Sequence, residues 1–494
     1  MRRARRGRVR RRPRIYRHRR RLRGAVQPMA LIPFASAAPM LRYALGALAA
    51  GVVLCGCGNG PEGRQMGGVG DAAASAPAHA PPPTLPGAGP DAATLERGRY
   101  LALAGDCAAC HGAAGRAPYA GGQPVNSPFG PIFAPNITPD QAAGIGRYTL
   151  PQFDDALRRG VRADGRRLYP AMPYPSYARL SDSDVDALYA YFMHGVAPSP
   201  QASPPTRLPF PFDQRWALGI WDALFANRER FVPQPARSVE WNRGAYLVQG
   251  LGHCGACHTP RGPAYNERGY DERSPAFLTG GINDHWFAPN LTGAQADGLG
   301  RWTAADLAAF LRSGHARYGT VFGAMAPVVG ESLARLTDAD RRAIAVYLKS
   351  LPARPTAATN PLGIGVPRTT TAGPRPEGGQ QAPGAGLYAG FCARCHGRDG
   401  TGVPDHGPPL ADNPIVVARD PNSAIRIVVD GSQPEPGRSG AQQRMPAMRG
   451  TLTNDEIAAV VSYLRGAWAN RAPPVSEQQV ARLRGALRRD GHAD

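Results

Sequence analysis

The pentapeptide Cys-x-x-Cys-His occurs three times in this 494-residue chain: Cys107-Ala-Ala-Cys110-His111, Cys254-Gly-Ala-Cys257-His258 and Cys392-Ala-Arg-Cys395-His396. Two thiols three residues apart share one face of a helix, where both reach the two vinyl groups of a single porphyrin. The histidine that follows then sits beneath the iron as its proximal ligand. A zinc site would need two such pairs close together in one domain, and these lie roughly 140 residues apart. A redox dithiol of the thioredoxin kind needs a parallel-sheet context, and no block of the sequence alternates as strands do. The motifs therefore predict three covalently bound c-type haems. The thioether positions are Cys107 and Cys110, Cys254 and Cys257, and Cys392 and Cys395, with His111, His258 and His396 on the iron.

Methionine sulfur is a soft axial ligand that favours ferrous iron. Met172 in Ala-Met-Pro-Tyr-Pro, Met325 in Gly-Ala-Met-Ala-Pro and Met445 in Met-Pro all follow their histidine and precede the last helix of their block. They are the predicted sixth ligands. Met445 is preferred to Met448 because Met445-Pro446 matches Met172-Pro173; Met193 sits beside an apolar helical stripe and reads as core. His194, His253, His285, His315 and His406 rank below the methionines. No side chain stands out as a catalytic acid, base or nucleophile.

Three low-order stretches divide the chain. The organisation expected is 1–57, an N-terminal extension with an export or lipoprotein-like signal; 58–91, a flexible linker; 92–197, a first domain; 198–239, a linker with an apolar segment; 240–352, a second domain; 353–383, a linker; 384–470, a third domain; and 471–494, a C-terminal tail. The first two domains are internal repeats. Arg97-Gly98-Arg99-Tyr100-Leu101 matches Arg243-Gly244-Ala245-Tyr246-Leu247, and Ala134-Pro135-Asn136-Ile137-Thr138 matches Ala288-Pro289-Asn290-Leu291-Thr292. The third shares only the beginning and end of that plan. Every domain closes on a helix signalled by a hydroxyl with an acid three residues on: Ser181 and Asp184, Thr337 and Asp340, Thr453 and Glu456. Apolar residues follow at helical spacing, so the fold class is mainly α.

The formal charge of +21 is an effect of one segment. Residues 1–56 hold fifteen arginines and no acid, which leaves +6 on the rest. Three haems would add six propionates, so the charge does not point to nucleic acid. Tyr43 to Leu54 is a twelve-residue apolar run, too short to span a bilayer and suited to the centre of an export signal. Leu54-Cys55-Gly56-Cys57 is similar to a bacterial lipoprotein cleavage box, with Cys57 as the lipidation candidate. The remaining six cysteines all lie in the haem motifs.

Over about residues 92–470 the chain resembles the three-haem cytochrome c subunit of bacterial membrane-bound dehydrogenases, the alcohol, gluconate and sorbitol type. The markers are Ala171-Met172-Pro173-Tyr174-Pro175-Ser176-Tyr177, Ala134-Pro135-Asn136-Ile137-Thr138, and Met325 followed by Val328-Val329-Gly330. The resemblance implies three tandem cytochrome c-like domains, each a small helical bundle around its haem. It implies electron transfer rather than enzymatic turnover by this chain alone, and a catalytic partner subunit holding a flavin, quinone or molybdenum cofactor. It also implies ubiquinone or a terminal oxidase as acceptor, and a place on the periplasmic side of the bacterial inner membrane, peripheral or lipid-anchored. The alternatives are a cytochrome serving a molybdenum hydroxylase of the nicotinate dehydrogenase type, or a haem peroxidase. Phe210 to Phe231 is apolar for a linker and suits a membrane interface, the catalytic subunit or packing between domains. Residues 476–489 read as a solvated basic helix.

Overall fold

Two contacts recur in all three domains: a hydroxyl caps a helix near the domain's end, and a glycine lets the first helix touch that one. The computed structural model describes residues 89–356, 383–404, 406–432 and 444–489. The expected export signal, Cys57 and most of both expected linkers lie outside these residues.

In the first domain α1 (Ala92–Ala104) leads into α2 (Cys107–His111), then the antiparallel pair β1 (Pro124–Val125) and β2 (Ile132–Phe133). α3 (Leu150–Arg159), α4 (Tyr174–Tyr177) and α5 (Asp182–Ala190) complete it, and α6 (Ala217–Phe225) lies in the connection that follows. The second domain repeats the plan with α7 (Val239–Tyr246), α8 (Gly255–His258), β3 (Gly281–Asn283), β4 (Trp286–Ala288) and α9 (Ala304–Ser313). It adds a pair β5 (His315–Ala316) and β6 (Gly319–Thr320), then α10 (Met325–Pro327) and α11 (Asp338–Ser350). The third contains α12 (Ala385–Phe391), α13 (Ala393–His396), α14 (Pro414–Val417), α15 (Asn422–Asp430), α16 (Asn454–Gly466) and α17 (Glu477–Arg489).

The caps form as the sequence predicts. Ser181, Thr337 and Thr453 accept hydrogen bonds from the backbone N–H of Asp184, Asp340 and Glu456. Each satisfies a helical donor that would otherwise be unpaired, worth about 1 kcal/mol. A Cβ on Gly98 would stand 2.0 Å from the Ala187 carbonyl oxygen, on Gly244 2.0 Å from that of Ala343, and on Gly384 2.2 Å from that of Ala459. Only glycine allows these crossings of α1 on α5, α7 on α11 and α12 on α16.

The cores are two rather than three. Leu101, Val185 and Leu188 of the first domain and Leu247, Leu251, Ile344 and Tyr347 of the second belong to one continuous apolar cluster. The third domain has a separate cluster around Ile425, Ile457 and Val461. Two further expectations change. Short two-stranded hairpins are present, each strand only two or three residues long, too short for alternation to register in sequence. The 476–489 helix is not simply solvated: Val480, Leu483 and Leu487 of α17 are buried in the third core. No helix among the described residues is long and apolar enough to cross a membrane.

Candidate haem-binding sites

Each motif is a short helical turn following the first helix of its domain, and each presents its histidine in the same way. The imidazole Nδ1 meets a proline carbonyl oxygen: His111 and Pro135 at 2.8 Å, His258 and Pro289 at 2.7 Å, His396 and Pro408 at 2.9 Å. A carbonyl only accepts, so Nδ1 carries the proton and Nε2 keeps its lone pair for a metal. All three rings are buried. Burial drives their pKa below the usual value, opposed in part by the carbonyl, and so holds the ring neutral.

The first domain contains a cavity of about 460 Å³ whose wall includes Cys107, Cys110, His111 and Met172. Phe153, Leu157, Tyr177 and Phe192 make much of the rest apolar. Two thiols, a neutral imidazole, a thioether and apolar walls suit a covalently tethered macrocycle. The structure thus brings the four predicted residues of the first site together. Met325 opens α10, partly buried against the joint core. Met445 is partly buried against the third core, and Met448 lies within it at 9% exposure.

Comparison with known proteins agrees with this chemistry. The family model for cytochrome c matches residues 95–195, 242–352 and 381–468. The chain belongs to the cytochrome c family. It is 44% identical over 400 residues to the cytochrome c subunit of an alcohol dehydrogenase (quinone) from Gluconacetobacter polyoxogenes, covering 80% of this chain and 85% of that one. It is likewise 44% identical to the gluconate 2-dehydrogenase cytochrome c subunit of Pantoea cypripedii, covering 79% and 90%. The fructose dehydrogenase cytochrome subunit of Gluconobacter japonicus is 39% identical over 411 residues, covering 79% and 82%.

The cytochrome's thiols are poorly suited to dithiol exchange, which needs a lowered thiol pKa. Burial pushes Cys107 and Cys254 up to about 12, and Cys110 and Cys392 up to about 11. For Cys110 the neighbouring Asp106 and Cys257 add to burial, so the first two attachment sites lie near each other. Asp106 also lines the first cavity; burial, then the charge of Glu331, raises its carboxyl to about 8.

Several working parts of the cytochrome escape sequence reasoning. The proline carbonyls that orient the imidazoles belong, in the first two domains, to the repeated Ala-Pro-Asn segment, so their signal is that repeat. Asn136 explains why it recurs. Its Oδ1 accepts from the N–H and hydroxyl of Thr138, and its Nδ2 donates to the Ser199 and Gln201 carbonyls. Asn290 does the same work against Thr292 and the Arg354 carbonyl. Each asparagine ties the loop over the histidine to the chain beyond the last helix. Pro408 of the third domain has no such signature.

His253 also does more than its rank in the sequence suggests. It precedes Cys254 of the second site yet lines the cavity of the first, with its ring 5.7 Å from that of Tyr177. His315 pairs with the Thr320 hydroxyl and His406 with the Pro404 carbonyl.

Proposed function

We propose that this cytochrome is the three-haem electron-transfer subunit of a dehydrogenase complex that oxidises CH–OH donors such as an alcohol, an aldose or gluconate. The observation that carries this reading is the threefold recurrence of one arrangement, a paired-cysteine turn with a buried imidazole held by a proline carbonyl. Haem supplies one-electron exchange between ferric and ferrous iron. The chain's own residues tether, orient and enclose it. Cys107 with Cys110, Cys254 with Cys257 and Cys392 with Cys395 would provide the sulfurs that tether it. His111, His258 and His396 would hold the iron through nitrogen, and Met172, Met325 and Met445 through sulfur. The apolar walls exclude water and favour the less charged ferrous state.

Oxidation of substrate belongs to a separate catalytic subunit carrying a flavin, quinone or molybdenum cofactor, and the chain alone is no enzyme. Relatives named for alcohol, gluconate and fructose support one relay serving several substrates, so the partner sets the substrate. The acceptor in this reading is ubiquinone or a terminal oxidase, and the site of action is the periplasmic face of the inner membrane, with Cys57 as a lipid anchor. Purification of the native complex from membranes tests it. Three haems per chain by pyridine haemochrome, a co-purifying large subunit and haem reduction by a CH–OH donor are expected. A cytochrome isolated alone that turns over peroxide would overturn it.

A further inference from the structure

α6 is amphipathic in the wrong sense for a helix packed on a soluble protein. Its one charged residue, Asp222, points inward and is 2% exposed. There it accepts hydrogen bonds from the Tyr174 hydroxyl and Arg167 Nη1, both at 2.6 Å. Trp216, Ile220 and Leu224, spaced one turn apart, point outward at 71%, 57% and 68% exposure. Phe210 and Phe212 extend the patch at 80% and 43%. Five of the eight exposed large apolar residues among the described ones thus fall within fifteen positions.

The orientation is enforced. The Trp221 indole donates to the Ala264 carbonyl, Asn227 to that of Pro175, and the Tyr169 and Tyr270 hydroxyls to those of Phe212 and Phe225. These bonds, with the buried Asp222, hold the polar side of α6 against the protein and the apolar row away from it. A contiguous exposed apolar patch marks an interaction surface.

We propose that α6 and the Phe210–Phe212 loop form the face by which the cytochrome lies on an anionic lipid bilayer. Charge complementarity favours lipid as the occupant. Residues 207–237 hold five arginines against three acids, and one of those acids is the buried Asp222. Arg207, Arg228 and Arg237 are exposed in the stretch that carries the apolar row, against the exposed Asp213 and Glu229, and Glu229 is already paired with Arg273. Aromatic and aliphatic side chains along one face with arginine at its margins match the boundary between headgroups and acyl chains. The position adds a consequence. Arg215, the residue before Trp216, lines the first haem cavity and lies 4.2 Å over the Tyr169 ring. The bilayer face therefore adjoins the first domain, which becomes the exit for electrons to a lipid-dissolved acceptor.

This inference rests on the membrane-side relay proposed above, and its test separates the two. The haem-loaded chain carrying Cys57→Ser, to remove any lipid anchor, is floated with phosphatidylglycerol-containing vesicles and with pure phosphatidylcholine vesicles. Binding to the anionic vesicles that weakens with salt is expected. The triple variant Trp216→Ser, Ile220→Ser, Leu224→Ser should bind about tenfold less, with haem content and visible spectrum unchanged. Trp216→Phe should retain binding. No binding by the parent chain, or equal binding by the triple variant, would overturn the proposal. Loss of the catalytic subunit from the triple variant with vesicle binding intact would assign the face to that subunit instead. Failure of the relay itself would show as missing haem or missing donor reduction in the parent complex.

Discussion

The first two haem domains and the third meet their neighbours by different physics. Domains one and two share a single apolar core, and their seam is nearly symmetric. Asp184 takes Arg97 of its own domain and the Tyr246 hydroxyl of the other. Asp340 takes Arg243 of its own and Tyr100 of the first. The third domain instead docks on the β3–β4 hairpin through polar groups. Ser423 exchanges hydrogen bonds with the Phe287 backbone, and Arg426 pairs with Asp284 at 3.5 Å while lying 4.3 Å over the Trp286 ring. A shared core makes two domains one cooperative unit, whereas a polar seam leaves each side its own core. Two haem sites therefore stand or fall together, and the third can be lost alone.

The glycine crossings separate the fused pair from the third domain most sharply. Gly244→Val and Gly384→Val insert the same side chain against a backbone carbonyl at the same place in each plan. Each should cost about 3 kcal/mol or more. Thermal unfolding followed by visible circular dichroism should show Gly244→Val removing the signals of the first two haems together. Gly384→Val should remove only the third. A first domain that survives Gly244→Val intact would show the joint core to be dispensable.

The two seams should respond differently to the loss of a buried side chain. Leu251→Ala, in the joint core at 1% exposure, should cost about 2–5 kcal/mol and lower the unfolding of both fused domains. Arg426→Ala leaves Asp284 without its cation, while Asp430 keeps Arg449, and should cost the third domain's docking about 3 kcal/mol. Limited proteolysis reads the difference. Arg426→Ala should release a fragment beginning near residue 384 while domains one and two stay whole.

Which parts of this were legible follows from what the sequence encodes directly. Haem attachment demands particular side chains at fixed spacing, so Cys107, Cys110 and His111 and their repeats could be read at once. Caps such as Thr453 with Glu456 were legible for the same reason. The proline carbonyls behind the histidines were not, because any residue supplies a carbonyl and only the fold decides where it points. Nor was the joint core. Leu101, Val185 and Leu247 fit the helical period of their own domains, and periodicity says that a face is buried without saying against what. α17 shows the same limit: Val480, Leu483 and Leu487 were visible as a stripe, but α16 as its partner was not. The inverted α6 reads in sequence as merely apolar, because the inward turn of Asp222 depends on Tyr174 and Arg167, far away along the chain.

Acid should sharpen the contrast more gently. Burial alone would raise the Asp340 carboxyl, but hydrogen bonds from Arg243 and Tyr100 outweigh it and hold the pKa below the ordinary value. A depressed carboxylate contributes stability above its unfolded pKa and loses that contribution as pH falls through the folded value. The fused pair should therefore weaken below about pH 4. Tyr100→Phe, which removes one of those donors at a cost of about 1 kcal/mol, should make the acid transition begin at higher pH. An unchanged acid profile would show that the hydroxyl contributes nothing to the seam.

The mildest probe is also the most diagnostic, because it applies one chemical change in three places. Ser181→Ala, Thr337→Ala and Thr453→Ala each delete a hydroxyl that accepts from the helix three residues on, and each should cost about 1 kcal/mol. The shift in melting temperature depends on how much structure melts at once, since a larger cooperative unit has a larger unfolding entropy. In a fused pair of roughly 200 residues the loss should appear as about 2–4 °C, and in a lone domain of roughly 100 residues as about 4–8 °C. Ser181→Ala and Thr337→Ala should therefore give the same small shift in one shared transition, although their caps lie in different domains. Thr453→Ala should give about twice that shift in a separate one. Three equal shifts in three transitions would mean that the common core does not couple the first two haem sites.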